Sequence, residues 1–378
     1  MHRKKPGDTQ EVPVSAIDRA LKEKSHKHIY LDVLRVFAMF CVIVSNSDAH
    51  GLFAGCPRGS VSYWICLLVS ILSSSMICIF FMIIGAEQLK REEKTEDIWK
   101  HKIPRIAIDI FVFSLLYYLG NVASGQETFR PGNFLLDLYS QERVIPFWFL
   151  YAYLGILICL PFLRPMARYI KNRDYVYLIG LAVILLNALP IVNEYILLDR
   201  YSLNPSMRLD WIMEMTVLYP LLGHFIRRRL SLKECKRTMV SLWILNLFWI
   251  VMTAYRTYVA TEFSESTTIF TNYHTQVRLL NSLAVFMTAR VLLDDREFSE
   301  KVKRFWSEFG GLTLGIYLFH VAFMERIPAL NTIKTILMGS RTGIPALLCS
   351  LLWSVIVMAL SAALTWILKK IPLVRKLF

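Results

Sequence analysis

Ten long apolar runs, separated by connections that alternate between basic-rich and basic-poor, constrain this chain more than any other feature of its sequence. They cover roughly residues 31–47, 61–86, 104–123, 146–163, 175–193, 211–227, 239–257, 277–294, 311–328 and 345–368. A bilayer core of about 30 Å is crossed by about 17–25 helical residues, so each run is read as a spanning helix, the shorter ones borrowing flanking residues. The expectation is an all-α fold, a polytopic membrane bundle of about ten transmembrane helices with both termini cytosolic. A basic cytosolic tail over 1–29, ending in a surface helix, precedes a transmembrane domain over 30–370, and 371–378 form a short basic tail. No early apolar region with a small-residue cleavage site suggests a secretory signal.

Charge placement tests this division independently. The 378 residues are 55% hydrophobic and only 19% charged, and carry a formal charge of +14 from 43 Lys+Arg against 29 Asp+Glu. Of the basic residues, 31 fall in the two tails and in the connections at 87–105, 164–173, 227–237 and 296–304; only 10 fall in the alternate connections, and Arg35 and Arg290 complete the set. Retention of Lys and Arg on the cytosolic side explains that alternation. The basic excess is therefore mostly topology, and nucleic acid is not expected as a partner. Five of the seven cysteines lie inside apolar runs without metal-like spacing, which excludes a disulfide framework. With no soluble domain of useful size, the chemistry falls to the bundle itself.

Ionisable groups inside spanning helices are costly and mark candidate sites. At about 100° per residue, Asp32, Arg35, Asn46 and His50 share one stripe of the first helix. Arg35 and Asn46 are separated by roughly 16 Å of helix rise, so the stripe can line a path from the cytosolic mouth toward the outer surface. Alternatively, Asp32 and Arg35 pair at i,i+3 near the interface while Asn46 and His50 sit among headgroups. Lys102 and Arg105 open the third helix, with Asp109 one turn on; they suit the phosphates of a nucleotide-like donor or, equally, anionic lipid. Arg290 shares that ambiguity. Thr313, Tyr317 and His320 form one polar face of the ninth helix, where His320 is a candidate acid-base group or a hydrogen-bonded structural group. Glu214, expected at the level of Asn46 and His50, could orient a base or bind an acceptor hydroxyl, whereas His224 falls on a different face.

Read in order, YLDVLRVFAMFCVIV, FFMIIGAEQL, KIPRIAIDIFVFSLLYYL, FWFLYAYLGILICLPFL, YPLLGHFI and LGIYLFHVAF resemble the membrane-bound acyltransferase-3 family over roughly residues 29–370. The resemblance implies an integral-membrane acyltransferase with no bound cofactor. It would take an acyl group, usually acetyl, from cytosolic acyl-CoA as co-substrate to a glycan or lipid-linked sugar on the far side. Carried over by position, the family's helix-one arginine is Arg35 and its basic pair is Lys102 and Arg105, with Lys replacing the first Arg. Its helix-one histidine falls on Asn46, which cannot accept a proton at neutral pH. The histidine that often precedes the WFL triplet is replaced by Pro146 or Phe147. The first reading is an active enzyme in which His50 or His320 takes the base role, with donor entering between Arg35, Lys102 and Arg105 and acceptor arriving near Asn46, His50 and Glu214. The others are a non-catalytic family member that binds or moves a glycan or lipid, and a polytopic transporter. Oligomeric state is left open by small residues on helix faces such as Gly85, Gly120, Gly155 and Gly180.

Overall fold

The computed structural model describes residues 29–196, 203–204, 207, 209–263, 268–372 and 374–377. The surface helix expected in the basic tail lies outside them. The described chain folds into helices α1 (Ile29–Ser45), α2 (Val61–Ser74), α3 (Ile77–Gln88), α4 (Ile103–Ala123), α5 (Pro131–Ser140), α6 (Trp148–Tyr169) and α7 (Asn172–Val183). After these come α8 (Met215–His224), α9 (Leu232–Phe263), α10 (Thr268–Leu293), α11 (Glu300–Gly310), α12 (Thr313–Val321), α13 (Pro328–Met338) and α14 (Gly343–Leu368).

Helix is present at each of the ten apolar runs. By length and composition, five helical stretches among the described residues can cross a membrane: Val61–Gln88, Thr95–Ala123, Ile145–Tyr169, Leu232–Val259 and Gly343–Leu368. Several of the others are shorter or interrupted. α1 has 17 residues; α12 has 9 and continues only through the wide turn Ala322–Arg326. The sixth run is broken at Glu214, whose ψ of 143° is extended. Apolar side chains also face outward: Val240, Ile244, Leu247, Phe248, Val251 and Tyr255 are exposed at helical spacing along α9, the pattern of a lipid-facing stripe.

α3 and α8 cross in close backbone contact. A Cβ placed on Gly85 would lie 1.9 Å from the Pro220 carbonyl oxygen, and one on Gly223 would lie 1.9 Å from that of Met82. Each glycine thus lets its Cα approach the other helix's backbone, as small residues do where apolar burial alone gives helices little reason to associate. Pairing along the crossing fixes its direction. Cys78 lies 3.8 Å from the Met215 sulfur, and Arg227 donates to the Ala86 carbonyl at 3.0 Å, so the helices run parallel.

Other contacts fix further directions. Tyr117 donates to the Leu318 carbonyl (3.1 Å) while Arg326 donates to Asn121 (2.7 Å), so α4 and α12 are parallel. Ser47, beyond the end of α1, meets Ser350 near the start of α14 at 3.3 Å. At the other end Lys369, just past α14, donates to the Gly311 carbonyl (2.6 Å), and Gly310 packs on Asp32. Those two helices are therefore antiparallel.

Two buried polar features hold the α3, α8, α9 and α10 side together. Asn246 donates to Asn281 (3.2 Å), which donates to Ser75 Oγ (2.6 Å), linking α9, α10 and the α2–α3 junction. Arg290 donates to the carbonyls of Ile226 and Leu230, the latter at 3.1 Å, and lies 3.4 Å from Asp294. Its guanidinium thus satisfies carbonyls exposed where the α8 helix unwinds. That contact resolves the ambiguity of Arg290 in favour of a structural cap.

Candidate active site

α1 joins two polar clusters. At its first turns Arg35 donates to Asp32 (2.7 Å) and pairs with Glu87 at the end of α3. Lys102, entering α4, is held by Glu93 (2.6 Å) and Gln88 (2.9 Å), and Arg164 of α6 joins Glu93 at 3.1 Å. Burial alone would raise the Glu93 pKa, but hydrogen bonds from Lys102 and Arg164 prevail and hold it below the usual carboxylate range. Two of the three cations expected to bind phosphate are therefore already neutralised by carboxylates. Arg105 is exposed and makes no ion pair among the described residues. Lys369 lies near it; burial and then the Arg105 charge hold its ammonium below its ordinary pKa. Arg105 and Lys369 thus provide positive charge outside any ion pair among the described residues at this end. Lys369 escapes sequence reasoning because it reads as one more basic residue after the last apolar run.

Asp109, one turn into α4, is fully buried, and neither carboxylate oxygen has a hydrogen-bond partner among the described residues.

At the opposite end of α1 a cavity of about 410 Å³ is lined by Asn46, His50, Arg278 and Tyr317, with Pro146 and Trp148 from the entry to α6. The chain reaches it differently from the expected continuous helix. α1 ends at Ser45, so His50 enters from the following turn, just before Gly51, whose φ of +94° favours glycine. Local chemistry explains the stop: Asn46 Nδ2 turns back onto the Val42 carbonyl (2.8 Å), and Ser47 Oγ onto that of Val44 (2.8 Å). Asn46 and His50 nevertheless line one cavity, brought there by the turn rather than by a shared helix face. Burial, then the Arg278 cation, lowers the His50 pKa below 6.5, so the ring is a neutral base at neutral pH.

His320 and Glu214 do not join that lining. His320 is fully buried, its Nδ1 donating to the Tyr317 carbonyl (2.6 Å), which leaves Nε2 with the lone pair and no hydrogen-bond partner among the described residues. Tyr317, from the same helix face, lines the cavity instead. Glu214 is exposed at the break before α8. His224 packs 3.4 Å from the Tyr175 hydroxyl and does not line the cavity of His50. Sequence reasoning missed Arg278 as a site residue; its position at the very start of an apolar run is the signal that singles it out. Glu87 closes a motif of the resemblance but carried no role until Arg35 was found against it.

An all-helical bundle with several helices able to cross a membrane, a cationic cluster at one end and an imidazole-bearing cavity at the other defines a membrane protein whose chemistry is built into its helices. A family model described as an acyltransferase domain matches residues 28–369, and the chain belongs to the acyltransferase 3 family. It is a membrane acyltransferase, as the sequence resemblance implied. Comparison with curated proteins and with solved structures finds no match.

Proposed function

We propose that this acyltransferase moves an acyl group, acetyl in the simplest case, from cytosolic acyl-CoA to a hydroxyl of a cell-surface glycan or lipid-linked sugar. The observation that carries the proposal is the shared cavity of His50, Asn46, Arg278 and Tyr317, at the far end of α1 from Arg35 and Arg105. Supporting the topology, the helix directions agree with ten alternating spans and both termini in the cytosol. Runs two and six are parallel, runs three and nine are parallel, and runs one and ten are antiparallel.

In this reading Arg105 and Lys369 grip the donor's phosphates, and Arg35, fixed by Asp32 and Glu87, lines the entrance. Lys102 acts through the loop that it ties to Glu93. His50 takes the proton of the acceptor hydroxyl as its oxygen attacks the thioester carbonyl. Arg278 and the Asn46 amide stabilise the developing oxyanion. The C–S bond then breaks, the acyl group stays on the acceptor oxygen, and the proton passes from His50 to the departing thiolate. His320 and Glu214, outside the cavity, take no part in the transfer. Asn46 is thus a polar and structural member of the site, with the base displaced four residues along the chain.

Purified protein reconstituted in vesicles with acetyl-CoA tests this reading. His50→Ala is expected to lower kcat by about 10²–10⁴-fold while His320→Ala retains turnover. Full turnover by His50→Ala would refute the assignment of the base, and absence of both CoA binding and transfer in the unmodified protein would refute the donor.

A further inference from the structure

A second cavity, of about 350 Å³, opens between α4 and the wide turn after α12. It lies at the same end of the bundle as His50. Its rim residues Glu325 and Asn331 also line a neighbouring hollow, where Lys334 meets Asp48 (2.8 Å), two residues before His50. Phe113, Leu116 and Phe319 form its apolar wall, with Leu116 half-exposed on the outer face of α4, where lipid chains lie in a spanning helix. The Tyr117 hydroxyl fixes the floor, donating to the Leu318 carbonyl (3.1 Å) and accepting from the Ala322 amide (2.9 Å).

The mouth carries Arg326. Its Nη1 donates to the amide oxygens of Asn121 (2.7 Å) and Gln126 (2.6 Å), and it makes no ion pair among the described residues. Two neutral amides orient the guanidinium without cancelling its charge, leaving other N–H groups for an anion. Glu325 shares the rim, so the cavity has a cationic flank and an anionic one. An apolar slot open to the bilayer, with an oriented cation at headgroup level, matches one chemistry: a chain-bearing amphiphile with an anionic phosphate head.

We infer that this cavity is a binding site for a phosphate-headed membrane lipid, with the head on Arg326 and a chain along Leu116 and Phe319. It stands apart from the transfer chemistry, so lipid retention can be read whether or not the protein turns over. Gly120 provides a probe that spares the charge: a Cβ built there meets nothing within 4 Å, so Gly120→Leu fills the slot without a clash at its first carbon.

The test is native mass spectrometry of the full chain taken from vesicles of phosphatidylcholine containing phosphatidylglycerol, counting retained phosphatidylglycerol. Arg326→Gln and Gly120→Leu are each expected to reduce retention about tenfold, and Glu325→Gln to increase it, while Arg341→Gln, a nearby surface control, changes nothing. Because Gly120→Leu leaves Arg326 in place, it decides the matter even if Arg326→Gln is not recovered folded. Unchanged retention in Gly120→Leu would overturn the lipid site. So would full displacement of the lipid by millimolar inorganic phosphate, which would identify a free-anion site instead.

Discussion

Replacing Gly85 by alanine adds one carbon where the backbones of α3 and α8 come into close contact. That carbon would sit 1.9 Å from the Pro220 carbonyl oxygen and 2.3 Å from the Pro220 Cα, whereas real Cβ contacts essentially never fall under 3.0 Å. The crossing must therefore open by about 1.1 Å, and the obstacle is backbone, which cannot rotate away. Overpacking of this kind costs about 1–3 kcal/mol, and a rigid obstacle places Gly85→Ala near the upper end. Gly223→Ala meets the Met82 carbonyl oxygen at the same distance and is expected to cost as much. The two glycines share one crossing, so once the first substitution has opened it, the double variant should cost less than the sum. Function should fall too. Glu87 and Gln88, which hold Arg35 and Lys102, follow Gly85 on the same helix. Displacing α3 therefore loosens the cationic end, raising the KM for donor before lowering kcat. Thermal melts of purified protein measure the first effect and steady-state kinetics the second. Gly155→Ala and Gly180→Ala, whose added carbons meet nothing within 4 Å, are the controls and should be neutral or stabilising by up to about 1 kcal/mol. Melting of Gly85→Ala together with these controls would refute the reasoning.

Further outcomes follow from the site. Burial and then Arg278 hold the His50 pKa below 6.5, so the acid limb of the kcat/KM profile should lie below that pH. Removing the cation relieves repulsion of the protonated ring, so Arg278→Gln should move the limb to higher pH; a profile unchanged by Arg278→Gln would sever the link between them. Arg105→Gln combined with Lys369→Gln should raise the KM for acyl-CoA about tenfold or more, with little change in acceptor KM, as measured by varying each substrate in turn. Asp109→Leu removes a buried carboxyl with no hydrogen-bond partner among the described residues, so the purified variant should melt higher, by about 1–3 kcal/mol of stability; a lower melt would show that the carboxyl is satisfied.

Much of the fold was legible because its signals are long. An apolar run of spanning length and an alternation of basic loops both survive errors of several residues in any boundary, and helix occurs at every run. The interruptions were harder to see. α1 stops at Ser45 because Asn46 and Ser47 bond to carbonyls one turn back, a choice between helix and cap that polar spacing does not decide. The helical stripe placed Asp32 beside Arg35, whereas Asn46 and His50 meet in one cavity through the turn after the helix ends. It could not show that Glu87 neutralises Arg35 or that Glu93 neutralises Lys102, because those partners come from other parts of the chain. Arg278 and Lys369 were hidden by the charge count itself, which treated every loop cation as a topology marker. Glu214 was matched to Asn46 and His50 by depth and His320 to Tyr317 by helix face, and neither criterion brings a side chain into the cavity lining.

The hydrogen-bonded chain from Asn246 through Asn281 to Ser75 also bears on how the protein is made. An asparagine entering hydrocarbon alone has no water to satisfy its amide. α9 therefore carries a deficit until α10 arrives, and Asn281 reaches its serine only by docking against a segment synthesised some two hundred residues earlier. Helices inserted in order would thus remain exchangeable partners until α10 closes the chain, at which point their register is committed. A nascent polypeptide stopped between α9 and α10 would leave the Asn246 amide N–H without the acceptor that Asn281 supplies.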